Sequence, residues 1–213
     1  MKTIIFLDTE TNGLPNWGVP SSDPSQPHVT QLAAELCVEE TGETLMAMDM
    51  IIRPDGWEIP QELQELTGIT MERAMREGRP AGEVMATFFG MWSGADLRAA
   101  HNESFDMRML RIEIMRDPFL SMQAVGGIPF ADYWKSAPAY CTQGNSVKIC
   151  NLPPTPKMVA ARRKGPKSPN LAEAYKFFTG EDLVGAHDAK VDIMACKAVY
   201  YGIKRHLALA TAS

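Results

Sequence analysis

The sequence predicts an α/β domain in which an antiparallel meander of three strands is followed by helices and short strands in alternation. Three observations carry this reading. Residues 2–7 are β-branched and aromatic and run through Asp8 and Glu10 toward Gly13, the pattern of a buried strand that ends in a turn. Val29–Val38 and Thr44–Ile52 flank Glu39-Glu40-Thr41-Gly42, whose polar residues and glycine suit a hairpin connection. From Pro60 the apolar period becomes helical, with Leu63, Leu66 and Ile69 and then Val84, Phe88 and Met91.

The remaining elements follow in chain order. Pro15, Pro20, Pro24 and Pro27 exclude a helix or a central strand over about 14–28, which predicts a mobile loop directly after the first strand. Met46, Met48 and Met50 alternate as a pleated core face. Residues 96–100 predict a strand, and Phe105, Met109 and Ile112 predict a helix after it that carries Asp106 in its first turn. Prolines crowd the stretch that follows Cys141, so 142–170 is expected to be a second mobile loop. Leu171–Phe178 predicts a helix that Gly180 ends, and a last helix runs from about His187 to Leu207. No repeat or linker composition divides the chain, so residues 1–213 are expected to form a single domain.

Composition narrows the function. With 21 basic and 26 acidic residues the net charge is −5, which excludes a general electrostatic coat for nucleic acid or anionic membrane. Any polyanion must be met locally. Cys37, Cys141, Cys150 and Cys196 show no CxxC spacing, so reduced thiols are expected. No apolar run reaches the length of a signal-peptide core or a membrane span, which predicts a cytoplasmic protein with no membrane partner.

The chemistry lies in acids that sit where acids are costly. Asp8 and Glu10 share one face of the first strand, and two carboxylates held together suit a hard cation such as Mg²⁺ or Mn²⁺, unless both are simply solvated. Asp192 lies on the apolar stripe of the last helix with Asp188, Ala195, Cys196 and Val199, so it needs a partner. His187 precedes it by five residues. Asp106, in a first helical turn, has the ordinary role of complementing the helix dipole. If Asp8, Glu10, Asp106 and Asp192 converge at one sheet edge, about two divalent cations are required, which is the apparatus of phosphodiester cleavage.

Three segments carry a resemblance. Phe6-Leu7-Asp8-Thr9-Glu10-Thr11-Asn12-Gly13-Leu14, His101-Asn102-Glu103-Ser104-Phe105-Asp106 and His187-Asp188-Ala189-Lys190-Val191-Asp192 resemble, in order and form, the three motifs of the DnaQ-like 3′→5′ exonucleases. The histidine five residues before the last acid is similar to that of the DEDDh subgroup. The resemblance spans about residues 3–203 and implies an RNase H-like fold with a mixed five-stranded sheet flanked by helices. It also implies that Asp8 bridges two divalent metal ions, that Glu10 and Asp192 complete one site, that Asp106 helps hold the other, and that His187 is the general base.

For substrate, the resemblance implies that the Thr9–Leu14 amides, with Thr9, Thr11 and Gly13, hold the 3′-terminal nucleotide. Leu14 resembles the family's apolar wedge, and Asn102 joins the binding set from the second motif. Arg162, Arg163 and Lys164, with Lys157 and Lys167, form a basic stretch with no acid from Thr155 to Asn170, expected to meet phosphates rather than only solvent. Trp17 either stacks on a base or packs on the surface. Two positions depart from the family pattern: Thr67 stands where many relatives carry histidine, and Cys141 where many carry an acid.

The expected activity is therefore metal-dependent removal of nucleoside 5′-monophosphates from 3′ ends of single-stranded nucleic acid, with DNA ahead of RNA. The alternatives are an RNA-trimming or oligoribonucleotide-degrading enzyme and a non-catalytic nucleic-acid binder. A binder has no reason to keep an uncompensated acidic cluster. A phosphatase using Asp8 as nucleophile would want a second Asp where Glu10 stands. With no polymerase domain fused, the enzyme is expected to act alone or with a polymerase or other replication partner.

Overall fold

The computed structural model describes residues 1–211. Strands β1 (Thr3–Thr11), β2 (Val29–Val38) and β3 (Thr44–Ile51) form the expected antiparallel meander. β1 runs on to Thr11, so Asp8 and Glu10 lie within it, as expected, and pair with Ala33 and Gln31 of β2. β3 is an edge strand. Its alternating methionines are a core face only in part, because Met48 is buried whereas Met46, near the turn that joins β2 to β3, is 51% exposed.

Helices α1 (Gln61–Thr67), α2 (Met71–Glu77) and α3 (Ala81–Trp92) follow. Gly68, at φ 70°, closes α1 in the left-handed region that glycine reaches without strain, so Ile69 packs in the turn between two helices rather than on one. β4 (Leu97–Ala100) leads directly into α4 (Glu103–Arg116), as the sequence predicts. A single 3-10 turn and the short hairpin β5 (Ala124–Val125) and β6 (Ile128–Pro129) then reach α5 (Phe130–Ser136) and β7 (Ala139–Cys141).

The stretch 142–170 is not one irregular loop. Thr142–Cys150 form α6 and Pro156–Ala160 form α7, followed by α8 (Leu171–Thr179), which Gly180 ends, and α9 (Ala189–Thr211). The prolines begin only after α6, and α6 escaped the apolar pattern because it buries the small residues Thr142, Ser146 and Cys150.

The main sheet has the order β3-β2-β1-β4-β7, with β4 and β7 parallel to β1. Side chains alternate across it. Ile5 and Leu7 face the larger core under α3, α4 and α5, where Phe88, Phe89, Trp92 and Trp134 meet edge to face. Ile4 and Phe6 face α9 through Ile193, Cys196 and Tyr200. The 14–28 segment is irregular, as its prolines require, and its carbonyls at Val19, Gln26 and Pro27 accept hydrogen bonds from Arg108 and Arg116 of α4.

Candidate active site

The parallel pairing of β1 and β4 brings the first two motifs together. Phe6 pairs with Ala99, so two residues further along each strand the chain reaches Asp8 on one side and His101 on the other. Loops at the carboxyl ends of parallel strands are where α/β sheets build their sites. Asp8 and Glu10 follow Ile4 and Phe6 on the face that meets α9, while Thr9 points to the α4 side.

Thr9 holds Asp106 in place. Its amide and its hydroxyl both donate to Asp106 Oδ1, at 3.0 and 2.8 Å. This corrects one expectation: both donors of Thr9 are used within the protein, so Thr9 positions an acid instead of contacting substrate. Asp106 is buried, and burial pushes its carboxyl up to about 7 against these hydrogen bonds.

The third motif arrives from the start of α9. The Asp188 side chain accepts from the Lys190 and Val191 amides, capping the helix, and buried Gln31 of β2 accepts from the Ala189 amide. Asp192 is therefore set into the sheet beside Glu10. His187 lies just outside the helix in the left-handed region, at φ 71°, and its amide donates to Asp192 Oδ2 at 3.3 Å. One ring nitrogen of His187, a Glu10 oxygen and an Asp192 oxygen lie within 4.8 Å of one another.

The electrostatics of this cluster are unfavourable as it stands. Burial first, and then Asp106, Asp192, Glu10 and Asp188, drive the Asp8 carboxyl well above its ordinary range. Burial and the same neighbours raise Glu10 to about 8. Burial raises Asp192 too, and its Oδ1 is buried with no hydrogen-bond partner among the described residues. No lysine or arginine pairs with Asp8, Glu10, Asp106 or Asp192 among the described residues. Repelling carboxylates, an unsatisfied oxygen and an all-oxygen donor set beside one imidazole fit hard divalent cations.

Asp188 is the acid whose contribution the sequence pattern left unassigned. It raises Asp8, Glu10 and Asp192 from its capping position. His101 of the second motif serves the architecture. Its Nε2 donates to the Pro169 carbonyl at 3.1 Å, which leaves Nδ1 to pair with the Thr142 hydroxyl at 2.9 Å. That contact docks the end of the basic segment beside β4.

The other predicted substrate residues are scattered around the cluster. Thr11 donates its hydroxyl to the Gly13 carbonyl, and Leu14 is 84% exposed, projecting from the loop instead of folding onto the core. Asn102 is exposed at the start of α4 in the left-handed region, φ 68°. Arg162, Arg163 and Lys164 are all exposed, and none has a carboxylate partner among the described residues, whereas Lys167 is held by Glu173 at 2.6 Å. At the two departures, Thr67 turns its hydroxyl to the Leu63 carbonyl and Cys141 Sγ caps α6 by accepting from the Gly144 amide.

A mixed five-stranded sheet with acids converging from its first strand, from the helix after its parallel neighbour and from the last helix defines a nuclease-type domain of RNase H-like fold. The chain belongs to the exonuclease family: a family model described as Exonuclease, RNase_T, matches residues 5–200. The fold is also that of solved exonuclease I structures. One exonuclease I structure is 19% identical at a TM-score of 0.68, covering 96% of this chain and 41% of the other. The Escherichia coli enzyme in complex with a dT13 oligonucleotide is 19% identical at a TM-score of 0.67, with the same coverages. Its zinc-bound complex with single-stranded DNA is 18% identical at 0.68, again covering 96% and 41%. This chain thus spans about two-fifths of the length of those proteins. No curated protein matches it.

Proposed function

We propose that this protein is a 3′→5′ exonuclease of the DEDDh kind, which hydrolyses the terminal phosphodiester of single-stranded nucleic acid, DNA in preference to RNA, and releases nucleoside 5′-monophosphates. The observation that carries the reading is the convergence of Asp8, Glu10, Asp106 and Asp192, unneutralised and with Asp192 Oδ1 unsatisfied, beside the exposed ring of His187. Binding of single-stranded DNA by the structurally similar Escherichia coli exonuclease I supports the choice of substrate.

Asp8, Glu10, Asp106 and Asp192 would hold two Mg²⁺ or Mn²⁺ ions, which when bound acidify the attacking water and stabilise the departing 3′ oxygen. His187 takes the proton from that water. Its ring lies next to Glu10 and Asp192 and is open to solvent, so the proton it accepts can be passed on. Thr9 keeps Asp106 aimed at the site through two hydrogen bonds. Arg162, Arg163 and Lys164, free of carboxylate partners among the described residues, contact the strand's phosphates.

The test is hydrolysis of single-stranded DNA in Mg²⁺ or Mn²⁺ by the wild type, Asp8→Asn and His187→Asn. Activity in the wild type and its loss by at least about 100-fold in both folded variants is expected. Wild-type turnover in either variant would remove the mechanism.

A further inference from the structure

We propose that Trp17, backed by Arg108, is a stacking platform for one base of the strand whose 3′ end enters the carboxylate site. The proposal rests on the exonuclease reading and adds a specificity-determining residue to it. Trp17 is 61% exposed, an unusual place for an indole in a segment that is otherwise tied down. One face of its ring lies on the Arg108 guanidinium, 5.5 Å from the centroid. Arg108 belongs to α4, the helix that carries Asp106 in its first turn, so the platform and one of the acids are built on the same element.

Both partners are fixed before any ligand arrives. Arg108 Nη2 donates to the Val19 carbonyl at 2.6 Å and to the Asn16 carbonyl at 3.4 Å, and no carboxylate pairs with it among the described residues. The loop is clamped from within by buried Gln26, which accepts from the Asn16 amide at 3.0 Å and donates to the Asn16 and Pro20 carbonyls. Arg111 fixes the loop again through Ser21. A rigid indole with one face on a cation and the other in solvent loses little freedom on stacking. A guanidinium without a carboxylate partner beneath it adds attraction for the flanking phosphate. Aromatic rings combined with arginine are the sequence-tolerant way to hold single-stranded bases.

The experiment measures binding of 5′-labelled dT oligonucleotides in Ca²⁺, which permits binding without relying on turnover. A single abasic site is walked one nucleotide at a time from the 3′ end. In the wild type, one or two abasic positions should weaken binding by roughly 5- to 100-fold. In Trp17→Ala that penalty should vanish, and Trp17→Phe should restore most of it. In cleavage assays Trp17→Ala should raise KM by a similar factor and leave kcat within about twofold. The same abasic penalty in Trp17→Ala and the wild type, or no position-specific penalty in the wild type, would overturn the platform. A wild type that shows the penalty yet cleaves nothing in Mg²⁺ or Mn²⁺ would overturn the exonuclease reading and leave the platform standing.

Discussion

Removing a charge from the acidic cluster should stabilise the protein when divalent ions are chelated. Consider Glu10→Gln, which keeps the shape of the side chain and cannot ionise. Burial and then Asp192, Asp106 and Asp188 lift the Glu10 carboxyl from its ordinary 4.5 to about 8. The native protein therefore keeps a proton that the unfolded chain releases, so the stability tied to this group is full below about pH 4.5 and is lost as the pH climbs through about 8. For a carboxyl sealed from water the loss at pH 8 would be about 4 kcal/mol. Glu10 is partly open to solvent, and screening halves this to about 2 kcal/mol. For a chain of this size that is a shift in Tm of about 4–8 °C. Thermal melts in chelator should thus place Glu10→Gln about 4–8 °C above the wild type near pH 8, with little difference near pH 5. With Mn²⁺ at about a hundred times its Kd, the wild type should gain about 2.7 kcal/mol and the order should reverse if Glu10 is one of the ligands, as proposed. A variant that melts at or below the wild type near pH 8 in chelator would refute the claim that these carboxylates repel one another without compensation.

Three further predictions concern the groups around the cluster and the frame beneath it. Thr9→Val deletes the hydroxyl that donates to Asp106 at 2.8 Å; metal affinity, read by titration calorimetry, should fall by about 10- to 100-fold while the fold persists. Replacing Arg162, Arg163 and Lys164 together by Ala should weaken single-strand binding and flatten its dependence on salt by up to about two ionic contacts, with kcat unchanged; an unaltered salt slope would assign those cations to solvent. Gly202→Ala would set a methyl 2.6 Å from Phe178 Cγ, so α8 and α9 must part, and urea titration should show a loss of at least about 1–3 kcal/mol.

The parts of the fold that announce themselves in the sequence are those with strong periodicity. β1, β2, α3, α4 and α9 follow directly from apolar spacing and from the cap or turn residues at their ends. What escaped the pattern has physical causes. α6 buries threonine, serine and cysteine in place of large apolar residues, and β7 is only three residues long, too short for any period to register. Met46 falls near the turn at the start of an edge strand, where alternation continues but the core does not. At the candidate site, Asp8, Glu10 and Asp192 stand out in the sequence because a carboxylate on a buried face has few ordinary explanations, whereas Asp106 and His187 stand out only through the motif resemblance. Thr9 does not, because its motif position points to substrate while its side chain lies on the opposite face of β1 from Asp8. Asp188 was hidden by its double use as helix cap and neighbouring charge.

The most direct measurement is digestion of single-stranded DNA and RNA of one sequence, labelled at the 5′ end, in Mn²⁺ and in chelator. A ladder that shortens from the 3′ end one nucleotide at a time, with release of nucleoside 5′-monophosphates, faster digestion of DNA and complete loss of cleavage in chelator, is expected. Internal cuts, release of the label as the first product, or cleavage that continues in chelator would contradict the proposed activity.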